Sequence, residues 1–207
     1  MKNWLRLLAA VLLSGFLAVT QAQSLLVVGD SISAAYGIEI EQGWVAQLQQ
    51  RLDERQLSYQ VVNASISGDT SAGGRTRLPA LLEQHQPLLT IIELGGNDGL
   101  RGLPLERLRD NLAAMVQQAH EQDSRVILLC MRIPPNYGPR YTESFYQVYQ
   151  QLGQELDVPV LDFFLEGVGG VEGMIQGDGI HPTAAAQPRL LDNAWPLIEA
   201  ALQDTDE

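Results

Sequence analysis

The sequence predicts a single three-layer α/β/α domain built on a mostly parallel five-stranded sheet, and three observations predict it. From Ser24 onward, short apolar runs alternate with longer amphipathic stretches, the order that builds a parallel sheet with crossover helices. The apolar runs lack period-two alternation, as strands do when both faces of their sheet are covered. No internal repeat, low-complexity segment or linker interrupts the 207 residues, a length suited to one domain.

The elements follow in order. The first strand is the run at 25–28, Leu-Leu-Val-Val, and a helix over 44–57 follows from Trp44, Val45, Leu48 and Leu52. A strand at 59–62, a helix at 74–86 and a strand at 88–94 come next. Leu105, Leu108, Leu112, Met115 and Ala119 share one face of a helix over 105–122. Then come a strand at 125–131, a helix at 142–156 and a strand at 158–161. The last helix spans 183–202, where Pro188 and Pro196 are expected to bend or shorten it.

Composition narrows the chemistry. The formal charge is −12, which disfavours a nucleic-acid partner, since phosphate binding needs a basic face. Residues 1–22 combine a basic start (Lys2, Arg6), an apolar run over 7–19 and the small-residue end Thr20-Gln21-Ala22. That is the build of a secretory signal peptide cleaved near Ala22, and the apolar run is shorter than the about 20 residues of a membrane span. The expectation is an exported, periplasmic or secreted chain with no stable membrane anchor, its domain occupying 23–207 and a monomer the favoured state. Without the leader 11 basic residues face 25 acidic ones, a charge of −14, and no lysine remains. Schiff-base and P-loop chemistry are thereby excluded. Cys130 is the only cysteine, so neither a disulfide framework nor a multi-cysteine zinc site is available; in an apolar strand it reads as a buried small hydrophobe. No metal-ligand spacing appears, and no cofactor is expected. Imidazole chemistry must use His85, His120 or His181.

Parallel sheets bind ligands at the carboxyl ends of their strands. There the chain reads Gly29-Asp30-Ser31, then Asn63 to Asp69 with Gly68, then Gly95-Gly96-Asn97-Asp98; the loop before the last helix is Asp178-Gly179-Ile180-His181-Pro182. Each block fits acyl transfer. Ser31 is expected to start a helix, where unpaired N–H groups favour a developing anion. His181, the only histidine in a Gly-rich loop, is its candidate base, and Asp178 can turn back to fix the imidazole tautomer. Asp30, Asp69 and Asp98 compete with Asp178 for that role but read better as loop braces. The Ser31 and Gly68 backbone N–H groups and the Asn97 side chain are candidate oxyanion donors. The stretch GDTSAGGRT has the wrong spacing for a phosphate loop, and the GxSxG elbow is absent.

These blocks in this order resemble the SGNH, or GDSL-type, hydrolase family, with Ser31, Gly68, Asn97 and His181 on its four blocks and Asp178 on its triad acid. NASISGDTS, RLPALLEQHQP, ELGGNDGLRG, PPNYGPRY and DGIHP look like that family's exported bacterial thioesterase I/protease I/lysophospholipase/arylesterase group. Ile32 replaces the leucine of GDSL. The resemblance implies a flavodoxin-like fold and a serine hydrolase acting on acyl esters, thioesters or lysophospholipids. Loops at 100–104, 133–141 and 164–174 offer apolar side chains for the acyl group, with Ile133, Pro134, Tyr137 and Tyr141 lining part of a groove. Gly73-Gly74 is expected to let the adjoining loop move when a chain enters. A carbohydrate O-deacetylase on the same fold, or a noncatalytic binding protein, is the alternative.

Overall fold

The structure, a computed structural model, describes residues 23–203; the predicted signal peptide lies outside the described residues. Strands β1 (Gln23–Gly29), β2 (Tyr59–Asn63), β3 (Leu89–Glu93), β4 (Arg125–Leu129) and β5 (Val160–Leu161) form one sheet in the order β2-β1-β3-β4-β5. All four pairings are parallel. Every residue of β3 is buried, as are the last five of β1, which is why these runs carry no polar alternation.

The helices are α1 (Trp44–Glu54), α2 (Ser71–His85), α3 (Gly96–Leu100), α4 (Leu105–His120), α5 (Pro139–Leu156) and α6 (Gln187–Gln203). Right-handed crossovers set α1 beside α6, and α2 beside α4 with α5 next to it, giving three layers. Each helix buries the stripe its spacing specifies: Trp44, Val45, Leu48 and Leu52 on α1, and Leu108, Leu112, Met115 and Ala119 on α4. The site-forming feature is the sheet order. The chain goes out from β1 to β2 and returns past β1 to β3, so a crevice opens at the carboxyl ends of β1 and β3.

Four local expectations are corrected. Ser31 begins a run of turns over 31–37, not a helix; Ala35 takes φ +58° and Tyr36 N–H closes back on the Ser31 carbonyl, which stops propagation. The last helix begins at Gln187 after a 3-10 turn at Ala184–Ala186. Pro188 thus falls in its first turn, where no N–H is needed, and Pro196 lies inside the continuing helix. Gly73 joins Gly74 inside α2, which starts at Ser71 rather than at Gly74; a Cβ on Gly74 would lie 2.2 Å from Leu94 Cδ1, so this glycine admits close packing. Phe164, Leu165 and Val168 turn into the core, with Phe164 edge-on to Trp44 at 5.3 Å. The 164–174 loop therefore spends its largest apolar side chains on packing.

Candidate active site

The blocks that the sequence scatters over 150 residues meet at the β1/β3 crevice. Ser31, two residues beyond β1, is 9% exposed. Its Oγ lies 2.9 Å from His181 Nε2, and His181 Nδ1 lies 2.6 Å from Asp178 Oδ2. With a carboxylate facing Nδ1, the neutral ring carries its proton there and leaves Nε2 to accept from the serine hydroxyl. The loop is pinned locally. Asp178 Oδ1 accepts the N–H groups of Ile180 (2.9 Å) and His181 (3.0 Å), and Gln176 N–H donates to the His181 carbonyl (2.7 Å). These donors, with the His181 side chain foremost, bring the Asp178 carboxyl down to about 2, so it is ionised throughout the neutral range.

The other strand ends complete the crevice. Gly68 takes φ +78°, a left-handed conformation that costs glycine little, and its N–H has no acceptor among the described residues. Neither has that of Ser31 among the described residues. Asn97 sits in the first turn of α3, a short helix whose sequence Gly-Asn-Asp-Gly-Leu gives no helical periodicity to read. One Asn97 Nδ2–H donates to Asp30 Oδ2 at 2.9 Å, leaving the second for a ligand. Asp30 in turn accepts Ile32 N–H at Oδ1 (3.1 Å). The competing carboxylates face elsewhere: Asp98 caps Ser71 at the start of α2, and Asp69 pairs with Arg77 at 2.8 Å.

Three neighbours carry no sequence expectation. Tyr36 lies against His181 with ring centroids 4.4 Å apart and the planes tilted by 38°. Arg101, one turn beyond Asn97, donates from Nη2 to the Gly68 carbonyl (2.9 Å) and to Asn97 Oδ1 (3.4 Å), tying two of the candidate donors together. The i,i+4 spacing of Asn97 and Arg101 would have revealed this only once α3 was known. The third is Glu93, buried at the end of β3.

Of the groove residues, Pro134, Tyr137 and Tyr141 reach the surface. Tyr137 and Tyr141 stack at 6.3 Å and donate to the Leu100 and Gly99 carbonyls at the far end of α3. They border a cleft of about 590 Å³ shared with Leu103, Pro104 and Leu105. Ile133 does not face it: only 6% exposed, it packs under α3, its Cγ2 2.7 Å from where a Cβ on Gly99 would stand. Cys130 is buried, and burial pushes its thiol up to about 12; as an inert thiol it offers no nucleophile.

Burial raises Asp30 from 3.8 to about 6, against the pull of Ile32 N–H, Asn97 and His181 and with Asp69 adding to the rise. The folded state therefore holds a proton there that the unfolded chain has lost, and stability from this group falls as pH rises from about 4 to about 6. Urea unfolding of wild type and Asp30→Asn across that range should show the wild type losing stability relative to the variant. Parallel pH curves would contradict the assignment.

Residues 27–188 match the GDSL-like Lipase/Acylhydrolase family. The chain is 58% identical to Esterase TesA of Pseudomonas aeruginosa over 199 residues, 93% of this chain and 99% of that one. It is 46% identical to Thioesterase 1/protease 1/lysophospholipase L1 of Escherichia coli over 171 residues, 83% of this chain and 81% of that protein. Among solved structures, the psychrotrophic esterase EstA from Pseudoalteromonas, inhibited by monoethylphosphonate, superposes with a TM-score of 0.83 at 40% identity, covering 87% of this chain and 99% of that one. The chain belongs to the GDSL-like lipase/acylhydrolase family.

Proposed function

We propose that this protein is a serine hydrolase that cleaves acyl esters and thioesters, lysophospholipids among them, through an acyl-enzyme on Ser31. The observation that carries the reading is the chain of contacts Ser31 Oγ, His181 Nε2, His181 Nδ1, Asp178 Oδ2, at 2.9 and 2.6 Å. His181 takes the hydroxyl proton as Ser31 Oγ attacks the acyl carbonyl. The resulting oxyanion accepts from the Ser31 and Gly68 N–H groups and the free Asn97 Nδ2–H. Collapse breaks the bond to the leaving alcohol or thiol, which receives the proton from His181. Water then attacks the acyl-enzyme, gives its proton to His181, and Ser31 leaves with that proton restored.

The cleft beside Tyr137 and Tyr141 supports an acyl chain longer than acetyl. Asn97 occupies the first turn of α3, and the carbonyls at its other end hold the two tyrosines, so this short helix links the cleft's tyrosines to the candidate oxyanion site. Tyr137, Tyr141 and Leu103 line the cleft, with Ile133 packed under α3; Pro134 is exposed but outside its lining. Export is part of the same reading: residues 1–22 have the leader pattern, and among the described residues no helix is long and apolar enough to cross a membrane.

A panel of p-nitrophenyl esters from acetyl to palmitoyl, with lysophosphatidylcholine and acetylated sugars alongside, tests the proposal. Medium or long acyl esters should exceed acetyl esters in kcat/KM, and Tyr137→Ala should shift the chain-length optimum. A preference for acetylated sugars would favour the deacetylase instead.

A further inference from the structure

Beneath the nucleophile turn lies a carboxyl group that the mechanism above does not use. Glu93 ends β3, opposite Gly29 in the register of β1 and β3, and it is 0% exposed. Its Oε2 accepts twice from the turn: from the Ser33 hydroxyl at 2.7 Å and from the Asp30 N–H at 3.4 Å. These two residues bracket Ser31. Ser33 Oγ in turn accepts Trp44 Nε1–H at 3.1 Å, which ties the bracket to α1 in the core. Asp30, held by its backbone, spends its side chain on Asn97. One carboxyl group thus sits at the root of both the nucleophile and an oxyanion donor.

The neighbouring glycine is part of the arrangement. A Cβ on Gly29 would come 2.8 Å from Glu93 Oε2 and 2.7 Å from Ser33 Cβ. The absence of a side chain at position 29 is what lets the carboxyl pass under the turn.

The charge state follows from what surrounds it. Glu93 Oε1 is buried with no hydrogen-bond partner among the described residues. The charge that acts on Glu93 is that of Asp30 on the nucleophile turn, an anion; Arg77 of α2 bonds the Gly29 and Ala64 carbonyls and pairs with Asp69 instead. A carboxylate here would leave one anionic oxygen without a donor in a dry site, a far larger penalty than a neutral acid incurs. Burial, with the Asp30 charge adding to it, holds the group well above the ordinary glutamate value.

Resting on the serine-hydrolase reading above, we infer that Glu93 is a positioning residue: a neutral carboxylic acid that fixes Ser31 and Asn97 relative to each other by accepting from Asp30 and Ser33. Its neutrality matters to the chemistry. An anion at this place would oppose the negative charge that develops on the substrate oxygen, whereas a neutral acceptor holds the turn without that cost.

Two substitutions separate geometry from charge. Glu93→Gln keeps a neutral acceptor of the same shape and should retain kcat within a few-fold of wild type. Glu93→Met removes the acceptor and should lower kcat on the order of 10- to 100-fold with KM unchanged, less than the ~10²–10³ of a deleted oxyanion donor. The wild-type infrared spectrum above neutral pH should show the carbonyl stretch of a protonated carboxylic acid, absent in Glu93→Gln. If Glu93→Met fails to fold, Ser33→Ala, which removes the 2.7 Å bond to Glu93 together with the bond from Trp44 Nε1–H but leaves the Asp30 N–H bond to Glu93, should show the same kcat loss in smaller measure. A Glu93→Gln variant as impaired as Glu93→Met, a missing infrared band, or full kcat in both Glu93→Met and Ser33→Ala would overturn the inference. Labelling of wild-type Ser31 by a fluorophosphonate tells these outcomes apart from a failure of the hydrolase reading itself.

Discussion

Ser31→Ala should lower kcat on acyl esters by on the order of 10⁶-fold, the scale on which loss of a serine nucleophile is felt when its partners act as a unit. Among the described residues the hydroxyl bonds to His181 alone, and Ser31, 9% exposed, belongs to the crevice turn rather than to the apolar core. Removing one oxygen there leaves the β1 turn held by Asp30, Ser33 and Glu93, so thermal unfolding should match wild type. His181→Ala should be about as severe. The two losses should not add, because either one breaks the same proton path. Steady-state kinetics with a chromogenic ester, alongside circular dichroism, checks both. Activity surviving in both variants would remove the pair from the mechanism.

Asp178→Asn is the second large effect, expected near 10⁴-fold in kcat. The carboxylate accepts from His181 Nδ1 with one oxygen and from two backbone N–H groups with the other. An asparagine can preserve the backbone bonds through its carbonyl, but then turns its NH₂ toward Nδ1. That selects the tautomer with the proton on Nε2, which cannot accept from Ser31. Binding should survive where turnover does not, so KM should change far less than kcat. Because Asp178 sits at about 2 in the intact site, its own protonation should leave no limb in the wild-type profile above about pH 3. An Asn variant with full activity would take Asp178 out of the triad.

The sheet and its candidate site were legible for one physical reason. A parallel sheet buries its strands in apolar runs, so strand ends stand out, and polar residues just past them face the crevice. Ser31, Gly68 and Asn97 were found in this way, Asp178 and His181 in the Gly-rich loop before the last helix, and the structure brings all five together. What stayed hidden depends on the third dimension. Glu93 ends an otherwise apolar strand and reads as a boundary; only its register opposite Gly29 reveals that it reaches under Ser31. Arg101 needed α3, a five-residue helix framed by glycines that no periodicity announces. Tyr36 meets His181 across 145 residues, a contact carried by loop conformation alone. Direction was the other blind spot: Ile133 and Phe164 sit in loops, as their neighbours suggested, but point inward. β5, foreseen as four residues, pairs through only Val160 and Leu161, since Pro159 lacks an N–H to donate.

The central claim is that Ser31 becomes acylated because His181 and Asp178 activate it. Its most direct test is a fluorophosphonate reaction followed by peptide mass spectrometry of the adduct. One equivalent of phosphonate on the peptide containing Ser31, with labelling lost in Ser31→Ala and strongly slowed in His181→Ala, is the predicted result. Label on another residue, or none on an enzyme that still turns over esters, would contradict it.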